Sequence, residues 1–200
     1  MLNPTRLALV LALPLLLAAC GEGLPVTSSG IVPSTPPSDG DPAAPNAPAV
    51  YREPFAGEKH FGTLRQLTFG GQNAEAYWSF DESKLIFQAT RGRLKADQIF
   101  TMRPDGTDLE LVSTGNGRTT CAYFLPGDES VLSASTHLAG AEPEAVPEHN
   151  PRQYVWPIFN SYEIFVRLAD GSTLMNLSNS PGYDAEATVS PTGDRIVFTS

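Results

Sequence analysis

Cysteine is nearly absent, with one at position 20 and one at position 121 of 200 residues. Two thiols so far apart cannot supply a disulfide framework. Basic residues are scarce as well: 13 Lys and Arg stand against 22 Asp and Glu, for a net charge of −9. A sequence-independent grip on nucleic acid needs a basic surface, so that class is excluded. No apolar run approaches the roughly 20 residues that cross a bilayer. The chain has no Gly-x-Ser-x-Gly elbow, no Gly-rich phosphate loop and no His-Glu-x-x-His. Its three histidines, His60, His137 and His149, are scattered and are read as loop or surface residues. No motif calls for a cofactor or a metal.

What is present is unevenly distributed. Eight of the 18 prolines fall in residues 21–54, and 16 of the 18 aromatic residues lie beyond residue 57. A packed core is therefore expected only in the back of the chain. Residues 1–6 are short and basic, and residues 7–17 form an eleven-residue apolar run. Small residues follow and end in Cys20, which is the order of a secretory leader. Leu17-Ala18-Ala19-Cys20 resembles the bacterial lipobox. That resemblance implies cleavage before Cys20, a diacylglycerol on its sulfur and an acylated amine. More than one acyl chain gives stable anchoring. Gly21 stands where an Asp tends to hold such proteins at the inner membrane, so the resemblance implies the outer membrane. Residues 21–54 are rich in Pro, Ser, Ala, Gly and Asp and have little to bury. They read as a stalk. The expected organisation is a leader over 1–19, the lipidated cysteine and linker over 20–57, and a globular part over 58–200.

The globular part repeats itself. Trp78-Ser79-Phe80-Asp81-Glu82-Ser83-Lys84-Leu85-Ile86-Phe87 aligns with Phe124-Leu125-Pro126-Gly127-Asp128-Glu129-Ser130-Val131-Leu132-Ser133 and with Val189-Ser190-Pro191-Thr192-Gly193-Asp194-Arg195-Ile196-Val197-Phe198. Each reads as a strand end, a polar turn and an apolar strand. Ile99-Phe100-Thr101-Met102-Arg103-Pro104-Asp105-Gly106 matches Ile164-Phe165-Val166-Arg167-Leu168-Ala169-Asp170-Gly171, a strand followed by an Asp-Gly turn. The offsets between units are 46 and 65 residues for the first element, and 27 and 46 residues separate it from the Asp-Gly turn. Both pairs differ by 19, so one insertion between about residues 138 and 161 explains both.

Four short strands are thus expected per unit, in the first at 74–80, 84–89, 98–103 and 109–113. A period near 45 with four strands signals a β-propeller blade. The fold class is all-β: four-stranded antiparallel blades, about two and a half of them in this chain. The Ser-Pro-x-Gly-Asp-Arg-Ile turn at 190–196, the Ile-Phe-x-Met-Arg-Pro-Asp-Gly run and the Leu-Thr/Ser strand ends resemble the WD-like repeats of TolB propellers, over about residues 64–200. The first unit departs from that pattern at Phe80-Asp81-Glu82-Ser83. Leu64-Arg65-Gln66-Leu67-Thr68 looks like an outer strand without its own blade, of the kind that completes a last blade in closed rings. Propellers have four to eight blades, so the chain is expected to be part of a longer protein.

Two groups of side chains are candidates for binding. Asn73-Ala74-Glu75-Ala76 matches Asp184-Ala185-Glu186-Ala187, and Cys121 takes the same place in the second unit. Glu75 and Glu186 are therefore expected at the mouth of the central channel. There they either bond neighbouring blades or meet a cation or a partner's basic group. Cys121 is expected to be a small buried residue. The insertion carries Tyr154, Trp156, Phe159 and Tyr162, which either cover a blade face or anchor a partner. Strand polarity puts the insertion and the two carboxylates on one rim.

The expected function is a non-enzymatic binding scaffold, anchored by lipid in the cell envelope and facing the periplasm, for a protein or polysaccharide partner. The alternative is the accessory propeller of a larger prolyl-oligopeptidase-like hydrolase whose catalytic domain lies elsewhere.

Overall fold

The computed structural model describes residues 50–153, 155–168 and 174–200. The leader, Cys20, most of the linker, Tyr154 and the Asp170-Gly171 turn lie outside the described residues. Twelve strands are found there, and helical structure among them is limited to one 3-10 turn, His137–Ala139.

The first four-stranded sheet runs in chain order: β3 (Gln72–Trp78), β4 (Leu85–Thr90), β5 (Gln98–Met102) and β6 (Glu110–Leu111). The second repeats it with β7 (Thr119–Phe124), β8 (Ser130–Ser135), β9 (Glu163–Leu168) and β10 (Leu174–Asn176). β11 (Ala185–Val189) and β12 (Ile196–Thr199) form the first hairpin of a third unit. All pairings are antiparallel. The inner strands β3, β7 and β11 are successive neighbours. This is a partial β-propeller. Its expected strands are found to within a few residues.

The blades stack because their middle strands are apolar on both faces. In β4, Ile86 faces one way while Leu85, Phe87 and Ala89 face the other, and all are buried. Ile86 and Ile99 pack on Ala122, Phe124 and Val131 of the second blade. Leu132, Ala134, Ile164 and Val166 pack on Ala185 and Ala187 of the third. Each large side chain so buried contributes about 1.5–3 kcal/mol.

The turns that follow the inner strand of each unit, β3–β4, β7–β8 and β11–β12, are alike despite their different sequences. Ser79 N–H meets the Lys84 carbonyl at 2.9 Å, Leu125 that of Ser130 at 2.8 Å, and Ser190 that of Arg195 at 2.8 Å. The tip residues Glu82, Asp128 and Gly193 have φ of 59°, 60° and 73°. Phe80-Asp81-Glu82-Ser83 thus departs from the Ser-Pro-Thr-Gly-Asp sequence of the third unit without changing the turn. Asp128 also joins two blades: its carboxylate accepts the Phe80 and Asp81 N–H groups at 2.8 and 2.9 Å.

The start of the domain differs from expectation. β2 (Leu64–Gln66) pairs antiparallel with β1 (Val50–Arg52), which the linker reading had left without structure. Val50 and Tyr51 are good strand formers at the end of a proline-rich stretch, and Arg52 donates to the Gln66 side chain at 2.8 and 3.0 Å. The boundary at 57/58 therefore cuts a hairpin, and the partner of residues 64–66 is this local strand.

Candidate functional site

Each inner strand is interrupted at the same place. The β3–β4 register shifts between Ala74 and Tyr77, β7–β8 between Thr120 and Tyr123, and β11–β12 between Ala185 and Thr188. The residue inside each irregularity is Glu75, Cys121 or Glu186, with φ of 49°, 53° and 58°. These are left-handed conformations that non-glycine residues adopt at a cost, and bulges re-aim the side chain they carry. The repetition brings the three side chains together. The Cys121 thiol is pushed up to about 12, chiefly by burial and further by the charges of Glu75 and Glu186. Glu75 and Glu186 both lie near enough to Cys121 for their charges to act on its thiol.

Phenols surround this ring. Tyr77 and Tyr123 pair with centroids 4.2 Å apart. Burial raises Tyr123, and Tyr77, Glu75 and Cys121 add to the shift. Tyr183, just before β11, is raised chiefly by burial, with Glu186 and Cys121 adding to the shift and the neighbouring Trp156 indole opposing it. Trp156 of the insertion thus adjoins Tyr183, and Tyr183 neighbours Glu186.

The four aromatic residues of the insertion do not share one fate. Tyr154 lies outside the described residues. Trp156 is half-exposed. Phe159 and Tyr162 are buried in the core between the second and third blades, so neither offers its side chain to a partner. Tyr162 stacks edge-on against Tyr183 at 5.6 Å, and the Arg118 guanidinium lies 5.6 Å from the Phe159 ring centroid. Both residues immediately precede β9 and are pulled inward as that strand joins the sheet. Further ties hold the loop: Gly117 N–H to the Ala141 carbonyl at 3.0 Å, Ser161 to Glu144, and Lys95 to Glu142 at 2.7 Å.

Two other positions differ from the sequence reading. His137 is half-buried, with its ring 4.4 Å from that of Phe165 and its Nδ1 3.0 Å from Ser135 Oγ. The equivalent residue of the first blade is Arg91, whose guanidinium lies 5.5 Å from the Phe100 ring centroid. Sequence reasoning also missed Gln88. Its side-chain oxygen accepts the Cys121 N–H at 3.0 Å and so joins the first blade to the bulge of the second. The signal was a lone buried amide in an otherwise apolar strand. Among the described residues no three His, Cys, Asp or Glu side chains are grouped to hold a metal ion.

No family model matches the chain, and no curated protein matches it. Among the solved structures similar in shape is "The structure of putative TolB from Agrobacterium tumefaciens". The identity is 18%, the TM-score is 0.48, and the match covers 70% of this chain and 47% of that one. The chain thus matches about half of that structure's length.

Proposed function

We propose that this protein is a non-enzymatic β-propeller scaffold of the cell envelope, anchored through Cys20, that holds a protein or polysaccharide partner at the rim formed by Glu75, Glu186 and Trp156. The observation that carries the reading is the repeated left-handed irregularity that sets Glu75 and Glu186 near Cys121. The half-exposed Trp156 adjoins Tyr183, which in turn neighbours Glu186. Aromatic side chains are favoured anchors, while rim charges mainly set orientation and discriminate among partners.

The test is site-specific photo-crosslinking in cells, from position 156 and from position 84 on the inter-strand turn at the other end of the blade. A rim-specific adduct is expected at 156 only. With the crosslinker moved to the neighbouring position 155, the yield should fall at least about tenfold when Trp156→Ala removes the aromatic anchor, which corresponds to roughly 1.4 kcal/mol. Glu75→Gln with Glu186→Gln should make the yield less sensitive to salt. Equal adducts from both positions would show that the rim is not the contact.

A further inference from the structure

The β1–β2 hairpin carries a feature that the rim does not use. Its connection, residues 53–63, is folded rather than extended. The Glu58 N–H bonds the Phe55 carbonyl at 2.9 Å, and the Glu58 carboxylate accepts from the His60 N–H at 2.6 Å and the Phe61 N–H at 3.4 Å. Those bonds tie the backbone of Phe55 to that of Phe61. Yet the two side chains are 91% and 62% exposed. Tyr51, in the adjoining strand, is 68% exposed. A Cβ added at Gly57 or Gly62 would meet no atom within 4 Å, and all residues of the loop except Pro54 are exposed.

A folded loop that points two phenylalanines into water leaves apolar surface uncovered, and folding alone does not remove it. The flanking charge favours an anionic surface: residues 50–66 hold Arg52, Lys59 and Arg65 against Glu53 and Glu58, in a chain of net charge −9. Position in the chain supplies the rest. Positions 21–49 are all that separate Cys20 from the hairpin. Whatever path those residues take, they cannot extend beyond about 90 Å at roughly 3.1 Å per residue. A site tethered within such a distance experiences its target at an effective concentration that reaches the millimolar range for short linkers, so two aromatic side chains suffice for contact. Aromatic rings concentrate at the membrane–water interface.

We propose that the 53–63 loop docks on the phospholipid surface through Phe55 and Phe61, giving the domain a second contact beside its acyl anchor. The proposal rests on the anchored reading of Cys20 for its local concentration, but not for its chemistry.

The experiment uses the mature full chain in vesicles of phosphatidylethanolamine and phosphatidylglycerol, with Phe55→Trp and Phe61→Trp made separately. Emission beyond that of the parent should be blue-shifted and quenched by lipids brominated in their chains. Tryptic cleavage after Lys59, between the two phenylalanines, should be slowed at least about tenfold by vesicles, and Phe55→Ser with Phe61→Ser should abolish that protection. Added emission that stays unquenched, with cleavage at the same rate in vesicles and in buffer, overturns the proposal. A blue shift already present without lipid also overturns it, because protein then covers the loop. Mass spectrometry of the N-terminal peptide reads the anchor separately. If Cys20 carries no acyl group, vesicles are added at millimolar lipid. Quenching then still supports docking, and its absence refutes it.

Discussion

Gln88 offers a stringent test of how the blades are joined. It is buried in β4, and its Oε1 is the acceptor for the Cys121 N–H at 3.0 Å. That N–H lies inside the β7 irregularity, where the ladder to β8 shifts register. Gln88→Met keeps the volume and the flexible stem, so the packing contribution changes little. The loss is the bond from Cys121, which leaves a buried donor orphaned, together with the longer bond from the Gln88 amide to Asp97, about 1–3 kcal/mol in all. With a urea slope near 2 kcal/mol per molar, the midpoint should fall by roughly 0.5–1.5 M at an unchanged slope. A second variant separates charge from hydrogen bonding. Gln88→Glu keeps an acceptor but puts a carboxylate where the amide now lies 3.4 Å from Asp97 Oδ2. Burial and Asp97 would raise its folded pKa above the unfolded value. The penalty should then be greatest at neutral pH and be relieved as the pH falls towards about 4, where the unfolded carboxyl also binds its proton. A Gln88→Met midpoint within about 0.2 M of the parent would refute the assignment of Gln88 as the bulge acceptor. A pH-independent Gln88→Glu penalty would refute its electrostatic part.

Two further outcomes follow from the same geometry. Cys121, pushed up to about 12, should react with maleimide at pH 8 about a thousandfold more slowly than an ordinary exposed thiol, and Glu75→Gln with Glu186→Gln should speed it; rapid labelling of the folded parent would contradict the buried, carboxylate-flanked setting. Burial holds His137 below the ordinary histidine value, so its neutral form contributes stability that is present above about pH 6.5 and lost as the pH falls through the lower folded value; thermal melts from pH 7.5 to 5 should show that slope for the parent and a shallower one for His137→Gln, and identical slopes would remove His137 as its source.

What the amino-acid sequence determined is whatever depends on short-range chemistry. The repeat was legible because each turn is closed by its own residues: Ser79 to Lys84, Leu125 to Ser130 and Ser190 to Arg195 bond within six positions. The insertion was legible because the spacing either side of it is kept. The equivalence of Glu75, Cys121 and Glu186 came from the same alignment. What only tertiary structure decided involves groups brought together from distant positions. No local signal marks Glu, Cys and Glu as left-handed, since that strain is imposed when the strand pairs on one side and meets its neighbours at the axis. Nor does the sequence tell Phe159 and Tyr162 from Trp156. All three are aromatic residues of one loop, but the first two lie where the third blade closes over Leu132 and Ile164, and Trp156 stays outside that cluster, half-exposed. The pairing of Val50–Arg52 with Leu64–Gln66 was hidden for the same reason. Three residues after a proline-rich run have too few apolar contacts to announce a strand, and they become one only when a partner supplies the hydrogen bonds.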